Sequence, residues 1–364
     1  MPDARTWPDE MKGSGAGTDA PHGSAPWIRS RHEANGRAAA DLRGLNAVYE
    51  LIRDELAQVE RMLLEELKSE YPFVDALVQH GFSLGGKRLR PALLMLSAKA
   101  VGEVTREHVV LAAVVEMIHT ATLVHDDVLD EATLRRYRRT VNAQWNNETS
   151  VLLGDYLFTH AFYLSSTLET TFACRTIGKA TNIVCEGELR QIDSRGRLHL
   201  SEDEYLGIID GKTAELCSCC CLLGAHYAGA SNTVAAAMSR YGRDLGLAFQ
   251  ITDDLLDVLG TEATTGKTLG TDFDQQKMTL PLIRLLAVAP REERAEIERW
   301  LSAPDEQTRK QLRDALDRYD ALDYARERAR FYANRATAEL AVLADSPAAE
   351  VLRQLAAFVV ARQL

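Results

Sequence analysis

Between Pro91 and Pro281 the chain runs for 189 residues without a proline, while four of its ten prolines fall within the first 26 positions. Proline breaks helices and punctuates turn-rich β folds. Its absence over such a distance, in sequence rich in Ala, Leu, Glu and Arg, predicts consecutive helices. Periodicity agrees. Leu51, Ile52, Leu56, Val59, Leu63 and Leu64 recur three and four apart, giving an amphipathic helix between about residues 45 and 67. Residues 106–130 are more apolar, as suits a helix buried among others. Further helical patterns cover about 142–170, 173–192, 202–229, 233–259 and 279–289, then charged amphipathic stretches to the C-terminus, with breaks at Gly85-Gly86, Gly196 and the stretch 260–270. The expected fold class is all-α, one large helical bundle over residues 45–364. Residues 1–44, where Pro mixes with Gly, Ser and Asp, read as a disordered tail.

The chain carries 42 Lys+Arg against 53 Asp+Glu, a formal net charge of −11. That surplus argues against nucleic acid as a partner, because phosphate-backbone affinity needs a clustered cationic face. No run of about 18 uncharged apolar residues is present, so no transmembrane helix is expected, and the first thirty residues lack the apolar core of a secretory signal. Cys217, Cys219, Cys220 and Cys221 crowd into five positions, a spacing no disulfide framework uses. The expected compartment is a reducing cytoplasm.

Two acidic clusters stand out. Asp126-Asp127-Val-Leu-Asp130 and Asp253-Asp254-Leu-Leu-Asp257 share the pattern DDxxD, each at the end of an apolar helical run. Asp126 and Asp130 are four apart and share a helix face, as do Asp253 and Asp257. Like charges at that spacing repel, and flanking Leu and Val would place them near the core, so cations are expected. A single DDxxD is most simply a solvated helix end. Two, 127 residues apart in a proline-free bundle, suit Mg²⁺ ions held around one diphosphate.

Basic residues complement them. Gly85-Gly86-Lys87-Arg88-Leu89-Arg90-Pro91 puts Lys87 and Arg90 three apart at a helix start, where the helix dipole favours an anion. Arg135-Arg136-Tyr137-Arg138-Arg139 follows the first cluster and offers bidentate phosphate contacts. His119 precedes Asp126 by seven residues, about 10 Å along the axis, and suits a core position as well as a ligand's. Lys212, in Gly211-Lys212-Thr213, sits in an apolar helical stretch where it needs an anionic partner. Gln250 faces the same region as Asp253 and Asp254, and Lys267 follows the second cluster in a Gly/Thr loop. Singly, none of these decides the matter.

Together the residues resemble one family closely, the trans-isoprenyl diphosphate synthases or polyprenyl synthetases, of the medium- to long-chain type. GGKRLRP (85–91), IHTATLVHDDVLDEATLRR (118–136), LLGDYL (152–157), EGELRQ (186–191), GKTAEL (211–216), GLAFQITDDLLD (246–257) and GKTLGTD (266–272) occur in the family's order. The resemblance spans about residues 46–364. It implies a central cavity in the bundle and condensation of isopentenyl diphosphate with an allylic diphosphate into an all-trans polyprenyl diphosphate for quinone side chains. Asp126 and Asp130 match the first metal motif, and Asp253 with Asp257 the second. Mg²⁺ between them would grip the allylic diphosphate, assisted by Arg135, Lys212 and Lys267. Lys87, Arg90, His119 and Arg136 match the isopentenyl diphosphate site. Thr213 and Gln250, with Lys212, would steady the allylic cation. The resemblance also implies a homodimer, and peripheral membrane contact at product release. The chain departs from the family at Tyr137-Arg138-Arg139, where glycine and lysine are commoner, and at the cysteine run, which is read as small packing residues.

Product should grow along the helix N-terminal to Asp126. Ala121 and Thr122 there are small, where family members that stop early carry aromatic floors, so a product longer than geranylgeranyl diphosphate is expected. Met117 and Ile118, one turn deeper, can form a partial floor. Alternatives are a short-chain farnesyl or geranylgeranyl synthase, the catalytic subunit of a two-component synthase and, from a different class, an HD-type metal phosphohydrolase, since His125-Asp126 is an HD pair. A regulatory subunit or helical interaction protein would not need both aspartate clusters. A terpene cyclase would not need Lys87 and Arg90.

Overall fold

The computed structural model describes residues 49–84, 86, 88–259, 275–302 and 305–361, all within one compact unit, Ala40–Leu364. The expected tail, like Lys87 and Lys267, lies outside the described residues.

The first helices are α1 (Arg53–Glu66), α2 (Pro72–Ser83), α3 (Leu89–Val101) and α4 (Arg106–Leu129). The arginine-rich stretch then forms a two-residue antiparallel pair, β1 (Leu134–Arg135) with β2 (Arg138–Arg139). After it come α5 (Val141–Gln144), α6 (Asn147–Ser166), α7 (Phe172–Ser194) and α8 (Glu202–Ile209). A π-helical turn, Asp210–Ala214, joins α8 to α9 (Glu215–Tyr227), and α10 (Asn232–Leu259) follows. The C-terminal part comprises α11 (Leu280–Val288), α12 (Arg291–Ser302), α13 (Glu306–Arg318), α14 (Ala321–Glu339) and α15 (Pro347–Ala361).

The bundle is ordered by burial. α4 packs on α6, α9 lies against α3 and α10, and α10 lies against α14. By length and composition α4 is apolar enough to cross a membrane, yet 78% of its most apolar window is buried inside the fold. Its charged Glu116 is paired with Arg88 at 2.6 Å, so α4 is the bundle's core helix. Where the sequence reads one helix over 142–170, the chain breaks at Trp145. There the Asn146 side chain accepts from the Thr149 N–H and starts α6 as an N-cap.

The cysteine run is explained by how closely α9 and α10 approach. Cys217, Cys219, Cys220 and Cys221 are all buried, and burial raises their thiol pKa values, that of Cys221 to about 12. A thiol so suppressed packs as a small apolar group rather than as a thiolate ligand. A Cβ on Gly242 would lie 2.5 Å from the Cys217 carbonyl oxygen, and one on Gly246 would lie 2.6 Å from the Ala214 Cα. Backbone cannot yield as a side chain can. We therefore expect Gly242→Ala to lower stability by about 1–3 kcal/mol, read as a shifted denaturant midpoint. An unchanged midpoint would show that the seam has slack.

Candidate active site

Two helix ends deliver the aspartates. α4 carries Asp126 and Asp127 in its last turn, with Asp130 at its C-cap, and α10 carries Asp253, Asp254 and Asp257 near its C-terminus. Both ends are the negative poles of helix dipoles, so carboxylates there increase the local negative charge. Cations from other elements meet them. Lys212 Nζ lies 3.6 Å from Asp126 Oδ2 and 2.5 Å from Glu188 Oε2. Arg195 and Lys277 reach the same oxygen of Asp130, at 2.8 and 3.5 Å. Burial pushes the Asp126 carboxyl up to about 6; Lys212 opposes that rise, while Glu188 and Asp130 add to it. Burial alone would lower the Lys212 pKa, but Asp126 and Glu188 outweigh it and hold the ammonium above its ordinary value.

Lys212 reaches this place because the chain is locally widened. The π turn over Asp210–Ala214 inserts a residue into the helical path, a device often found at functional sites. α7 crosses directly against the turn: a Cβ on Gly187 would lie 2.5 Å from the Lys212 nitrogen. Arg243 on α10 pairs with Asp210 at the start of the turn. Lys212 then meets Asp126 while its neighbour Thr213 donates to Gln250 Oε1 at 2.8 Å. Gln250 Nε2 donates to Asp254 Oδ1 at 2.7 Å, and Tyr205 donates to Asp254 Oδ2 at 2.6 Å. The two acidic clusters are thus linked through Lys212, Thr213 and Gln250. Asp254 is buried, and burial raises its carboxyl to about 7 against the two hydrogen bonds. It faces the protein, whereas Asp253 and Asp257 are only half-buried.

A second, cationic region adjoins the first. Arg136 and Tyr137 both have positive φ, 51° and 63°, at the centre of the β1–β2 turn, as a two-residue type I′ hairpin requires. Neither is glycine, so the turn is strained. It sets the Arg136 guanidinium against Gly86, where a Cβ would meet Cζ at 2.8 Å. Gly86 is needed for that approach. Arg88 is clamped by Glu60 at 2.7 Å and Glu116 at 2.6 Å, fixing the start of α3. Burial, then Arg90, Arg135, Arg136 and Arg88, hold His119 well below its ordinary pKa, so it is a neutral imidazole among arginines. Arg90 Nε is buried without a hydrogen-bond partner among the described residues. A neutral ring and an unsatisfied guanidinium N–H suit an anion.

The structure therefore gathers Asp126, Asp130, Lys212, Thr213 and Gln250 around one region, and Arg90, His119 and Arg136 in the electrostatic neighbourhood of another. Arg135, expected beside the allylic diphosphate, engages Asp127 at 2.8 Å. Ala121, Met117 and Ile118 are fully buried on α4, and Thr122 is half-buried, its hydroxyl donating to the His119 carbonyl at 2.8 Å. Glu188, Arg195, Lys277, Tyr205 and Asp254 join the site without having been singled out for these roles. Only Glu188 and Asp254 lie inside recognisable motifs.

The hydrolase alternative fares poorly in this geometry. His125 contacts the Val151 carbonyl at 3.1 Å and packs on Gly154. Among the described residues, no three His, Cys, Asp or Glu side chains are gathered to hold a metal unaided.

The family model described as "Polyprenyl synthetase" matches residues 71–319. Octaprenyl diphosphate synthase of Escherichia coli (strain K12) is 36% identical over 326 residues, covering 87% of this chain and 99% of that one. The crystal structure of a decaprenyl diphosphate synthase from Rhodobacter capsulatus superposes with a TM-score of 0.83 at 37% identity, over 87% of this chain and 99% of that one. A polyprenyl synthase from Caulobacter crescentus CB15, complexed with calcium and isoprenyl diphosphate, gives a TM-score of 0.84 at 37% identity, over 88% and 98% of the two chains.

Proposed function

Because the chain belongs to the polyprenyl synthetase family, we propose that its two aspartate clusters hold one allylic diphosphate through Mg²⁺ while the arginine pocket holds isopentenyl diphosphate. The chain is a trans-prenyltransferase, a long-chain trans-polyprenyl diphosphate synthase with the all-α isoprenoid synthase fold. The observation that carries the site assignment is the link from Asp126 through Lys212, Thr213 and Gln250 to the second cluster.

The donor set fits magnesium. Asp126, Asp130, Asp253 and Asp257 offer hard oxygens, too few in either cluster to enclose an ion. Mg²⁺ characteristically takes one or two carboxylates and completes its shell with water and phosphate. Bound there, Mg²⁺ would neutralise charge developing on the leaving diphosphate. This chain's residues supply the rest. Lys212 adds a positive charge at Asp126 that stabilises the departing oxygens. As the allylic C–O bond breaks, diphosphate leaves with the electron pair. The double bond of isopentenyl diphosphate attacks the allylic carbon, forming the new C–C bond, and a proton passes from the isopentenyl C2 to the departing diphosphate. Thr213 and Gln250 present oxygen dipoles to the transient cation.

The assignment of two phosphate sites has a direct test. A charged hydrogen bond contributes about 1.5–3 kcal/mol, ten- to a hundredfold in affinity. Arg136→Gln should therefore raise the KM for isopentenyl diphosphate at least tenfold and leave that for the allylic diphosphate within about threefold. A rise in the allylic KM instead would reassign Arg136.

The polyprenyl product would serve as a quinone side chain, made in the cytoplasm with peripheral membrane contact at release. A homodimer is the proposed form, supported by Val151, Leu152 and Tyr163, which expose apolar surface on α6.

A further inference from the structure

Thr213 and Gln250 have hydrogen-bond partners that decide which of their atoms can face a positive charge. A glutamine amide has two ends of nearly equal size, so shape alone does not orient it; its neighbours do. Here Gln250 Nε2 donates to Asp254 Oδ1, which leaves Oε1 turned to Thr213. The Thr213 hydroxyl has one hydrogen and gives it to that Oε1, keeping its lone pairs for whatever lies beside it. Asp254 in turn is held at its other oxygen by the Tyr205 hydroxyl. Thr213, Asp254 and Tyr205 are 8%, 7% and 3% exposed, so bulk water does not reset the direction of these bonds. Every hydrogen along the chain points toward Asp254.

We propose that Tyr205 and Asp254 are positioning residues: they fix the hydrogen-bond polarity of the Gln250–Thr213 pair, so that oxygen lone pairs rather than a hydroxyl hydrogen meet the cationic allylic carbon. The proposal rests on the prenyl-transfer reading above. It also divides the second DDxxD, with Asp253 and Asp257 serving the diphosphate and Asp254 serving the cation. In the reverse polarity the Thr213 hydrogen would point outward and repel the developing charge. The polarity matters to the transition state and little to the uncharged allylic carbon of the bound substrate, which is what differential binding requires.

Asp254→Asn makes a sharp prediction. The Tyr205 hydroxyl needs an acceptor, so it takes the asparagine oxygen and leaves the asparagine NH₂ facing Gln250. The Gln250 amide must then turn its oxygen to that NH₂ and its own NH₂ to Thr213, reversing the chain. Adding Tyr205→Phe removes the hydroxyl that forces this choice. The asparagine oxygen can then face Gln250 and restore the original direction.

The test compares two probes by titration calorimetry with Mg²⁺. One is farnesyl diphosphate; the other is an analogue carrying a protonated amine nitrogen at the allylic carbon. The native chain should prefer the ammonium analogue at least tenfold. Asp254→Asn should lose at least tenfold of the ammonium affinity, hold farnesyl diphosphate within about threefold, and lower kcat ten- to a hundredfold at unchanged allylic KM. The double variant Tyr205→Phe/Asp254→Asn should regain much of the ammonium preference. Equal weakening of both probes, no weakening, or a double variant worse than the single would overturn the relay. Should Asp254→Asn fail to fold, Tyr205→Phe alone decides, with a smaller loss confined to the ammonium probe expected. A native chain that binds both probes equally would instead count against the prenyl-transfer reading itself.

Discussion

Asp126→Asn is expected to lower kcat by a hundredfold or more while making the metal-free protein more stable at pH 8. Both effects have one cause. Asp126 is a half-buried carboxylate held near Glu188 and Asp130, and its pKa is raised to about 6. The removal of one preorganised electrostatic group from such a site costs about 10²–10³ in kcat, and the aspartate is proposed to hold both metal and Lys212. For stability, the folded value lies above the ordinary 3.8. Asp126 therefore contributes stability that is fully present below about pH 4 and is lost as pH rises through 6. A neutral asparagine avoids that loss. The difference in unfolding midpoint between variant and native chain should be small at pH 4 and favour the variant at pH 8. A variant less stable at pH 8 would mean that the ion pair with Lys212 outweighs the cost of burying the carboxylate, and one with near-native kcat would remove Asp126 from the catalytic site.

Ala121→Phe should move the product distribution to chains at or below geranylgeranyl diphosphate. Ala121 lies about 7 Å from Asp126 along the α4 axis and Met117 about 13 Å. Replacing alanine by phenylalanine puts an aromatic floor roughly half as deep as the Met117 level. Ala121 is fully buried, so overpacking will cost about 1–3 kcal/mol, and unfolding midpoints must accompany the product analysis. Thr122→Phe, at a half-buried position one residue nearer the aspartates, should shorten the products as well, at a smaller packing cost. If Ala121→Phe folds and its products are unchanged, the growing chain does not pass Ala121.

Much of this was legible in the sequence because it depends on local spacing. The 3.6-residue period marks the helices, and i, i+4 geometry pairs Asp126 with Asp130 and Asp253 with Asp257. The break at Trp145 was equally local, signalled by the Asn146 cap, yet the apolar pattern on either side reads through it. What depends on three-dimensional closure was not legible. Nothing in Gly211-Lys212-Thr213 announces a π turn, or that α7 crosses directly against it at Gly187. Arg195 and Tyr205 act across 65 and 49 residues of chain, on Asp130 and Asp254, and neither lies in a motif that reveals its partner. The cysteines sat in between. Their smallness suggested packing, but only the close approach of Gly242, whose Cβ would lie 2.8 Å from Cys221 Sγ, shows how tightly that seam is filled.

The paired clusters have one consequence that a single acidic site would not have. The purified chain, given Mg²⁺, farnesyl diphosphate and labelled isopentenyl diphosphate, should make labelled polyprenyl diphosphates longer than 20 carbons without any second protein. Chromatography of the dephosphorylated products reads this directly. A ladder ending beyond geranylgeraniol is the result the structure predicts; release of phosphate with no label incorporated, or no elongated product at all, would contradict it.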